Sequence, residues 1–417
     1  MRQILERCRP LVRNPRFRSL ILLNVLLGLT YSFVSPFFSM FGTIECGMNP
    51  VVFGVFMTIT AVAGIVIATT LAHYSDTHLS RRQVMILGSV AGALGYGCYA
   101  YLRTFWPLLL VGCLLLGLSS ITFSQLFAFA REELSASDIE RKESAFYMNA
   151  FRMFFALSWT IGPAVASWIM IALSFKGLFL SAAGCFLLFT AATLKYVPDA
   201  PPPGAKLAAQ AADSVWRVMI RPDVFAHFMA FVLIFASATI GMMNLPLLVL
   251  KTLGGTEQQV GIVYCVSPFF ELPFMLYFGM LATRMDPAKV IRIGIAIAIV
   301  YYAGLTFVHV PWQVYPMQIL SAAVTAVTSG VAISYFQNYL PHHPGTATNL
   351  YANAQRIGST IGYLLFGWLA WRFGYRAVFL TCTVFSAATL GLMYVRHRAD
   401  TPDAIPASPK QAPQALT

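Results

Sequence analysis

The sequence predicts an all-α polytopic membrane protein with twelve transmembrane helices in two pseudo-symmetric six-helix halves. Hydrophobic residues make up 58% of the chain and charged residues only 11%, which excludes an ordinary soluble domain. The hexapeptide that begins at Tyr147 also recurs at Tyr351, 204 residues later in a chain of 417 residues. A repeat of this length in a membrane protein indicates two similar halves that enclose a central site.

Apolar windows of about 20 residues, the length that crosses a bilayer, occur twelve times along the chain. The candidate spans are 19–41, 51–74, 84–101, 106–130, 144–173, 177–197, 223–250, 258–283, 288–308, 312–339, 346–371 and 375–395. We therefore divide the chain into an N-terminal half (1–197), a linker (198–221), a C-terminal half (222–396) and a tail (397–417). The linker and the tail are rich in Pro and Ala, and we expect the tail to be disordered.

The net charge of +12 could suit a nucleic-acid-binding protein, but the distribution of the charge favours a membrane topology. Most of the 28 Lys and Arg residues lie in the termini, the linker and every second loop. The alternate loops contain only Arg103, Lys176, Lys251, Arg372 and Arg376. Because basic residues stay on the cytoplasmic side, we expect both termini in the cytoplasm and no binding of nucleic acid.

The repeated hexapeptide places the same polar residues in the fifth and eleventh spans. Within each copy, an asparagine, an arginine and an aromatic residue are spaced so that they share one helical face near the bilayer centre. An arginine at that depth costs at least roughly 2.5–3.5 kcal/mol, so its presence indicates a function. Amides, guanidinium groups and aromatic rings together suit the hydroxyl edges and C–H faces of a sugar. The substrate-binding candidates are Asn149, Arg152, Trp159, Asn353, Arg356 and Tyr363.

Further polar residues in other spans are candidates for the walls of a central cavity. These are Asn24 and Tyr31 in the first span, Thr122, Ser124 and Gln125 in the fourth, and Asn244 in the seventh. Each of them could equally form a hydrogen bond between neighbouring helices, because polar groups in membrane helices often serve that purpose.

Glu271 is the only acidic residue well inside a predicted span, and apolar residues and two prolines surround it. Apolar surroundings favour a protonated carboxyl group, so we predict that Glu271 binds and releases the coupling proton. The alternative is a structural acid at a proline kink.

The loop after the second span is a candidate gate. It contains Asp76 followed by the basic pair Arg81 and Arg82, an arrangement that can pin neighbouring helices when one side of a transporter closes. We add Arg131, at the end of the fourth span, to this predicted gate. The alternative is an ordinary basic loop.

This architecture and the loop from Leu71 to Arg82 resemble the major facilitator superfamily. Four stretches are similar to the sugar efflux transporter family within it: 125–132, 152–163, 270–273 and 345–356. The resemblance implies a central site that opens to one side of the membrane at a time as the two halves rock. It also implies export of sugars or glycosides, in exchange for protons, across a bacterial inner membrane. Because the fifth and eighth spans pack together across the two halves in this superfamily, the resemblance further implies Arg152 as the ion-pair partner of Glu271.

Other functions are less consistent with the sequence. The chain has no phosphate-binding loop, metal-ligand cluster or nucleophile–base arrangement, so we expect neither an enzyme nor a cofactor or metal site. The seven cysteines show no metal-binding or disulfide spacing. A proton-coupled drug exporter, a non-transporting receptor and an organic-anion or sugar-phosphate carrier that clamps its substrate with Arg152 and Arg356 remain alternatives. We expect a monomer in the lipid bilayer.

Overall fold

A computed structural model describes residues 15–135, 141–199, 221–340 and 344–394, and the regular structure within these ranges is helical. The predicted tail and nearly all of the predicted linker lie outside the described residues.

The first half contains helices α1–α6. Helix α1 runs as Pro15–Val34 and continues through a 3₁₀ turn (Ser35–Phe37), Phe38–Met40 and a π turn (Phe41–Glu45). Helix α2 is Pro50–His78, α3 is Arg81–Tyr99, α5 covers 141–173 and α6 covers 175–196. Helix α4 comprises Phe105–Val111, a π turn (Gly112–Leu116), Gly117–Ser119 and Ile121–Ser135. Several helices extend beyond the predicted spans, by four residues at the end of α2 and by five at the end of α4. No proline or glycine lies between Tyr74 and His78, so α2 continues past its apolar part.

The second half repeats this order in helices α7–α12. Helix α7 is Pro222–Leu247 and ends in a π turn (Leu248–Thr252). Helix α8 is Glu257–Arg284, α9 is Pro287–Thr306, α11 covers 344–373 and α12 covers 375–392. Helix α10 comprises Pro311–Gln313, Val314–Ala326, a π turn (Val327–Val331) and Ala332–Tyr339. In both halves a π turn therefore interrupts the first and the fourth helix.

Two of the helical segments each cross the membrane twice. Arg141–Tyr196 contains 56 residues and would be about 84 Å long if straight, whereas the hydrocarbon core is about 30 Å thick. It bends back at Ser174 (φ 56°), and Pro344–Leu392 bends at Gly374 (φ 75°). Among the described residues, nine segments are long and apolar enough to span a membrane, and these two bends raise the number of crossings to eleven. Helix α3, with 19 residues, is long enough but less apolar and is the twelfth.

Side-chain caps fix where several helices begin. At the start of α3, the Ser80 hydroxyl accepts the Gln83 backbone N–H (3.3 Å), while Gln83 Oε1 accepts the Ser80 N–H (3.1 Å). Thr256 and Gln259 form the same reciprocal pair at the start of α8. Because these bonds satisfy otherwise unpaired backbone donors, they set the lengths of the preceding turns and the positions of α3 and α8.

The two halves meet closely at one end of the bundle, which we call the distal end; the opposite end, where α6 ends and α7 begins, is the linker end. A Cβ atom added to Gly54 of α2 would lie 2.7 Å from the Tyr363 carbonyl oxygen and 3.0 Å from the Gly367 Cα of α11. A Cβ atom on Gly261 of α8 would lie 3.0 Å from the Pro163 carbonyl oxygen of α5. Glycine at these positions lets backbones of opposite halves touch, so the halves are closed at the distal end.

Candidate substrate site

A cavity of about 470 Å³ lies between the two halves. Helices α1, α2, α3 and α4 of the first half and α7 and α11 of the second form its wall. Of the residues predicted to bind substrate, Arg356 and Tyr363 line this cavity, as do Tyr31 and Ser124, which were expected at the cavity wall. The structure therefore brings the α11 copy of the repeat into the cavity.

Aromatic rings cover much of the cavity wall. The rings belong to Tyr31, Phe38, Phe56, Tyr96, Tyr99, Phe123 and Tyr363. Phe38 and Tyr99 stack with their centroids 5.9 Å apart, and behind them Phe41 meets Phe179 edge-on at 4.6 Å. Packed rings of this kind give a rigid apolar surface against which the C–H face of a ligand can lie.

The hydroxyl groups of the cavity act mainly as acceptors, because their hydrogens are already used. Thr60 donates to the Phe56 carbonyl (3.0 Å), Ser120 to Gly117 (2.7 Å) and Ser124 to Ile121 (2.9 Å). Tyr99 donates to the Leu108 carbonyl (2.9 Å). Their oxygens keep lone pairs for a ligand, and the donors come mainly from Arg356 and the remaining tyrosines. The cavity can therefore both accept and donate hydrogen bonds around an apolar surface.

In both copies of the repeat the first residue, a tyrosine, is buried, but the two arginines have different surroundings. Tyr147 and Tyr351 are both buried, and the Tyr351 hydroxyl donates to the Thr328 carbonyl (3.1 Å) within the π turn of α10. Arg356 lines the cavity, whereas Arg152 does not. Arg152 is exposed and lies within electrostatic reach of Tyr351 on α11 and of Arg131. Because it approaches a helix of the opposite half, Arg152 faces the space between the halves rather than lipid.

The other members of the repeat are less well placed for a ligand. The side chain of Asn149 lies outside the described part of the chain, and Asn353 is half-buried. The indole nitrogen of Trp159 is buried and has no hydrogen-bond partner among the described residues. Neither Trp159 nor Asn353 belongs to the cavity wall.

The structure corrects the expected ion pair between Arg152 and Glu271. Glu271 is half-buried in α8, and among the described residues no ion pair joins its carboxyl group to either Arg152 or Arg356. Helices α5 and α8 do pack together at Gly261 and Pro163, but among the described residues the Arg152 side chain forms no ion pair, and Tyr351 of α11 lies within its electrostatic reach. Glu271 is therefore an acid without an arginine partner in this conformation.

The structure also corrects the expectation that Asn24, Gln125 and Asn244 line the cavity. Asn24 Nδ2 donates to the Phe151 carbonyl of α5 (2.6 Å), and Asn244 Nδ2 donates to the Tyr375 carbonyl of α12 (2.7 Å). The side chains of Asn24 and Asn244 are short, and each bonds to the backbone of a neighbouring helix, so their role is to fix helix packing. Gln125 Oε1 accepts a hydrogen bond from Arg81 Nη1 (2.7 Å) instead.

Arg81 is the centre of a polar cluster at the linker end of the first half. Its guanidinium forms an ion pair with Glu132 (2.8 Å), in addition to the bond to Gln125. Arg82 Nη2 donates to the Leu194 carbonyl (2.7 Å), so the basic pair connects α3 with both α4 and α6. Asp76, the predicted partner, lies outside the described side chains, and Arg131 is exposed at the end of α4. The predicted gate thus has Glu132 and Gln125 as partners, neither of which the loop motif contained.

Sequence reasoning missed the contribution of α2 and α3 to the cavity. Phe56, Thr60, Tyr96 and Tyr99 line it, yet in the sequence they are ordinary members of apolar spans. No local pattern distinguishes a ring that faces a cavity from one that packs against a neighbouring helix. Only the relative rotation of the helices separates the two.

Comparison with known proteins identifies the family. The model of the Major Facilitator Superfamily matches residues 20–362 and, separately, 227–416. Sugar efflux transporter A of Dickeya chrysanthemi is 30% identical over 374 residues, which cover 90% of this chain and 94% of that protein. The chain belongs to the sugar efflux transporter family of the major facilitator superfamily. Sugar efflux transporter B of Salmonella typhimurium is 29% identical over 374 residues, 89% of this chain and 93% of that protein.

Solved structures agree with the fold of this family member. A variant of the nucleoside transporter NupG superimposes with a TM-score of 0.78 over 91% of this chain and 99% of its own, at 15% sequence identity. At this identity the likeness concerns the fold alone. It agrees with the arrangement of twelve helices in two halves that the sequence predicted.

Proposed function

We propose that the chain is a secondary transporter that exports sugars or sugar-like compounds from the cytoplasm in exchange for protons. The observation that carries this proposal is the cavity between the halves, where aromatic rings, hydroxyl acceptors and the Arg356 guanidinium surround one space. Sugars present apolar C–H faces and hydroxyl edges, so they match this mixture. Relatives named sugar efflux transporters align along about nine-tenths of the chain and support the same substrate class.

The orientation in the membrane follows from charge. The linker end contains Arg81, Arg82 and Arg131, whereas fewer basic residues occupy the distal loops. We therefore assign the linker end to the cytoplasm of a bacterial inner membrane. Because the halves touch at the distal end through Gly54 and Gly261, this conformation corresponds to a carrier that is closed to the outside.

The transport cycle uses the two ends in turn. Substrate enters from the linker end and binds between the aromatic wall of the first half and Arg356 of α11. The halves then separate at the distal glycine contacts and approach each other at the linker end, while the Arg81 cluster keeps α3 against α4 within the first half. After substrate leaves, Glu271 takes up a proton from outside, and its neutral form allows the carrier to return.

A drug exporter is the second candidate, since the cavity wall is rich in aromatic rings. Such exporters would have to admit organic cations, and the Arg356 guanidinium in the wall repels them. Sugars carry no positive charge and can accept hydrogen bonds from the same group. This charge is the reason we place sugar export first.

Transport in proteoliposomes tests the proposal. The purified chain would be reconstituted, and the flux of labelled lactose and of a labelled glucoside would be measured with and without an imposed pH gradient. We expect flux of at least one of them, accelerated by the gradient, and none in empty vesicles. Binding of sugar without any flux would make the chain a receptor, and flux of organic cations but not of sugars would favour the drug exporter.

A further inference from the structure

Two arginines of the repeat face the space between the halves without an acidic partner. Arg356 lines the cavity, and Arg152 faces Tyr351 across the interface between the halves. Both side chains are exposed within the protein, and neither forms an ion pair or a side-chain hydrogen bond with another described residue. Charges at bilayer depth are normally paired or hydrogen-bonded, so these two groups lack the counter-charge that such positions require.

Among the described residues, no acid forms an ion pair with either arginine. Glu132, at the end of α4, pairs with Arg81, and Glu45 pairs with Arg103 at the distal end. Glu271, well inside α8, contacts neither Arg152 nor Arg356. Arg131 also lies within electrostatic reach of Arg152, so the field there is positive. A negative charge that enters this space would be attracted from both halves.

The two arginines lie at nearly the same depth in the two halves. Arg152 is 11 residues after the start of α5 and Arg356 is 12 residues after the start of α11, which is about 17–18 Å along each helix. Arg356 lines the cavity, whereas Arg152 lies outside its wall and within electrostatic reach of Tyr351, five residues before Arg356 in α11. A ligand in the cavity can therefore bind Arg356 and is also attracted by the charge of Arg152.

We propose that the transported sugar carries a carboxylate or phosphate group, which Arg356 binds in the cavity while the charge of Arg152 adds to the attraction from outside the cavity wall. The forked guanidinium donors of Arg356 match the paired oxygens of either anion. The sugar ring then lies against the aromatic wall, where Tyr31, Phe38 and Tyr99 offer apolar surface. This inference rests on the proposed sugar transport and adds the charge of the substrate to it.

The test compares a neutral and an anionic sugar that differ in one substituent. Binding of galactose, galacturonate and galactose 6-phosphate to the purified full chain would be titrated by the shift in its melting temperature and by calorimetry. We expect galacturonate or galactose 6-phosphate to bind at least about tenfold more tightly than galactose. Inorganic phosphate is the control for an anion alone, and we expect it to bind more weakly than the preferred anionic sugar, because it lacks the ring.

Variants separate the roles of the two arginines. Arg356→Gln should bring the affinities for galactose and the anionic sugar within about twofold of each other, whereas Arg356→Lys keeps the charge and should retain part of the difference. Arg152→Gln should mainly slow the association of the anionic sugar and weaken the dependence of that rate on salt. Arg372→Gln removes an exposed arginine stacked on Phe373. It should change neither the difference in affinity between the neutral and the anionic sugar nor the association rate of the anionic sugar.

The outcomes distinguish this inference from the proposed function. Equal binding of galactose and both anionic sugars, with Arg356→Gln unchanged, would overturn the anionic substrate and leave sugar transport in place. Failure of galactose and both anionic sugars to bind the folded chain would overturn both. A preference for anions that survives in Arg356→Gln and Arg356→Lys would place the anion at another site and contradict the assignment.

Discussion

The two halves of the molecule share a backbone plan but differ in what they contribute to the cavity. Both carry a π turn in the first and fourth helices and a sharp bend between the fifth and sixth. The first half contributes four helices and most of the aromatic rings to the cavity wall, whereas the second half contributes two helices, Arg356 and Tyr363. Symmetry therefore governs the path of the chain, while the chemistry of the site is divided between the halves.

This division gives the two copies of the repeated motif different surroundings. Arg152 and Arg356 occupy equivalent positions in the sequence, yet one lies beside the cavity and the other lines it. Glu271, in α8, has no acidic counterpart well inside the first half. We infer that the first half mainly holds the apolar face of the sugar and that the second half contributes the charged groups.

The largest expected effect tests the charged groups of the second half. Glu271→Gln keeps the size of the side chain but cannot release a proton, so it should abolish flux driven by a pH gradient while sugar binding is retained. Flux of labelled lactose or a labelled glucoside in proteoliposomes, with and without the gradient, measures this. Glu257→Gln, at the exposed distal start of α8, is the matched control and should transport normally. Full gradient-driven flux in Glu271→Gln would remove the coupling role from this residue.

The next effect concerns the contact between the halves at the distal end. In Gly54→Ala the new methyl group would lie 2.7 Å from the Tyr363 carbonyl oxygen, so it should hinder distal closure and reduce transport several-fold. Gly97→Ala is the matched control, because a Cβ atom there has no neighbour within 4 Å. The measurement is the sugar flux of each variant at equal protein content. Equal flux in the two variants would show that the halves need not touch at Gly54.

A smaller effect compares the asparagines that hold helices together in each half. Asn24→Ala and Asn244→Ala each remove one hydrogen bond to a backbone carbonyl, of Phe151 and Tyr375 respectively, and should each destabilise the fold by about 1 kcal/mol. Thermal unfolding in detergent would record a lower melting temperature for both. A loss of sugar affinity in either variant without a lower melting temperature would instead return that asparagine to the substrate site.

The smallest effect uses the equivalent bends at Ser174 and Gly374. Both residues have positive φ, a conformation that glycine adopts easily and serine does not. Ser174→Gly should therefore stabilise the chain by up to about 1 kcal/mol, reduced by loss of the weak bond from the Lys176 N–H to Ser174 Oγ. Gly374→Ala should destabilise it. If Ser174→Gly and Gly374→Ala shift the melting temperature in the same direction, the two bends are not equivalent.

The sequence predicted the fold well because the fold depends on features that repeat locally. Apolar length, the bias of basic residues and the recurrence of Tyr147 as Tyr351 each follow from the bilayer or from the repeat, and the twelve helices are confirmed. The site was predicted only in part. Arg356 and Tyr363 line the cavity, but Phe56 and Tyr99 were missed, because whether a ring faces a cavity depends on helix rotation.

Pairings between distant residues were the least predictable feature. Arg81 pairs with Glu132, 51 residues away, and Asn24 bonds to the Phe151 carbonyl across 127 residues. The expected pairing of Glu271 with Arg152 rested on the packing of two helices, and among the described residues no ion pair joins these side chains. Which side chains meet depends on the rotation of each helix, which the spacing within one helix does not give.

The central claim is that sugar binds in the cavity between the halves, and protection of a single cysteine tests it most directly. In a chain whose seven native cysteines are replaced, Thr60→Cys would lie in the cavity wall. Glu257→Cys, at the exposed distal start of α8, would lie in water outside that wall. We predict that a bound sugar slows alkylation of the first by N-ethylmaleimide several-fold and leaves the second unchanged. If a transported sugar protects neither cysteine from alkylation, or protects both equally, that result would contradict binding in this cavity.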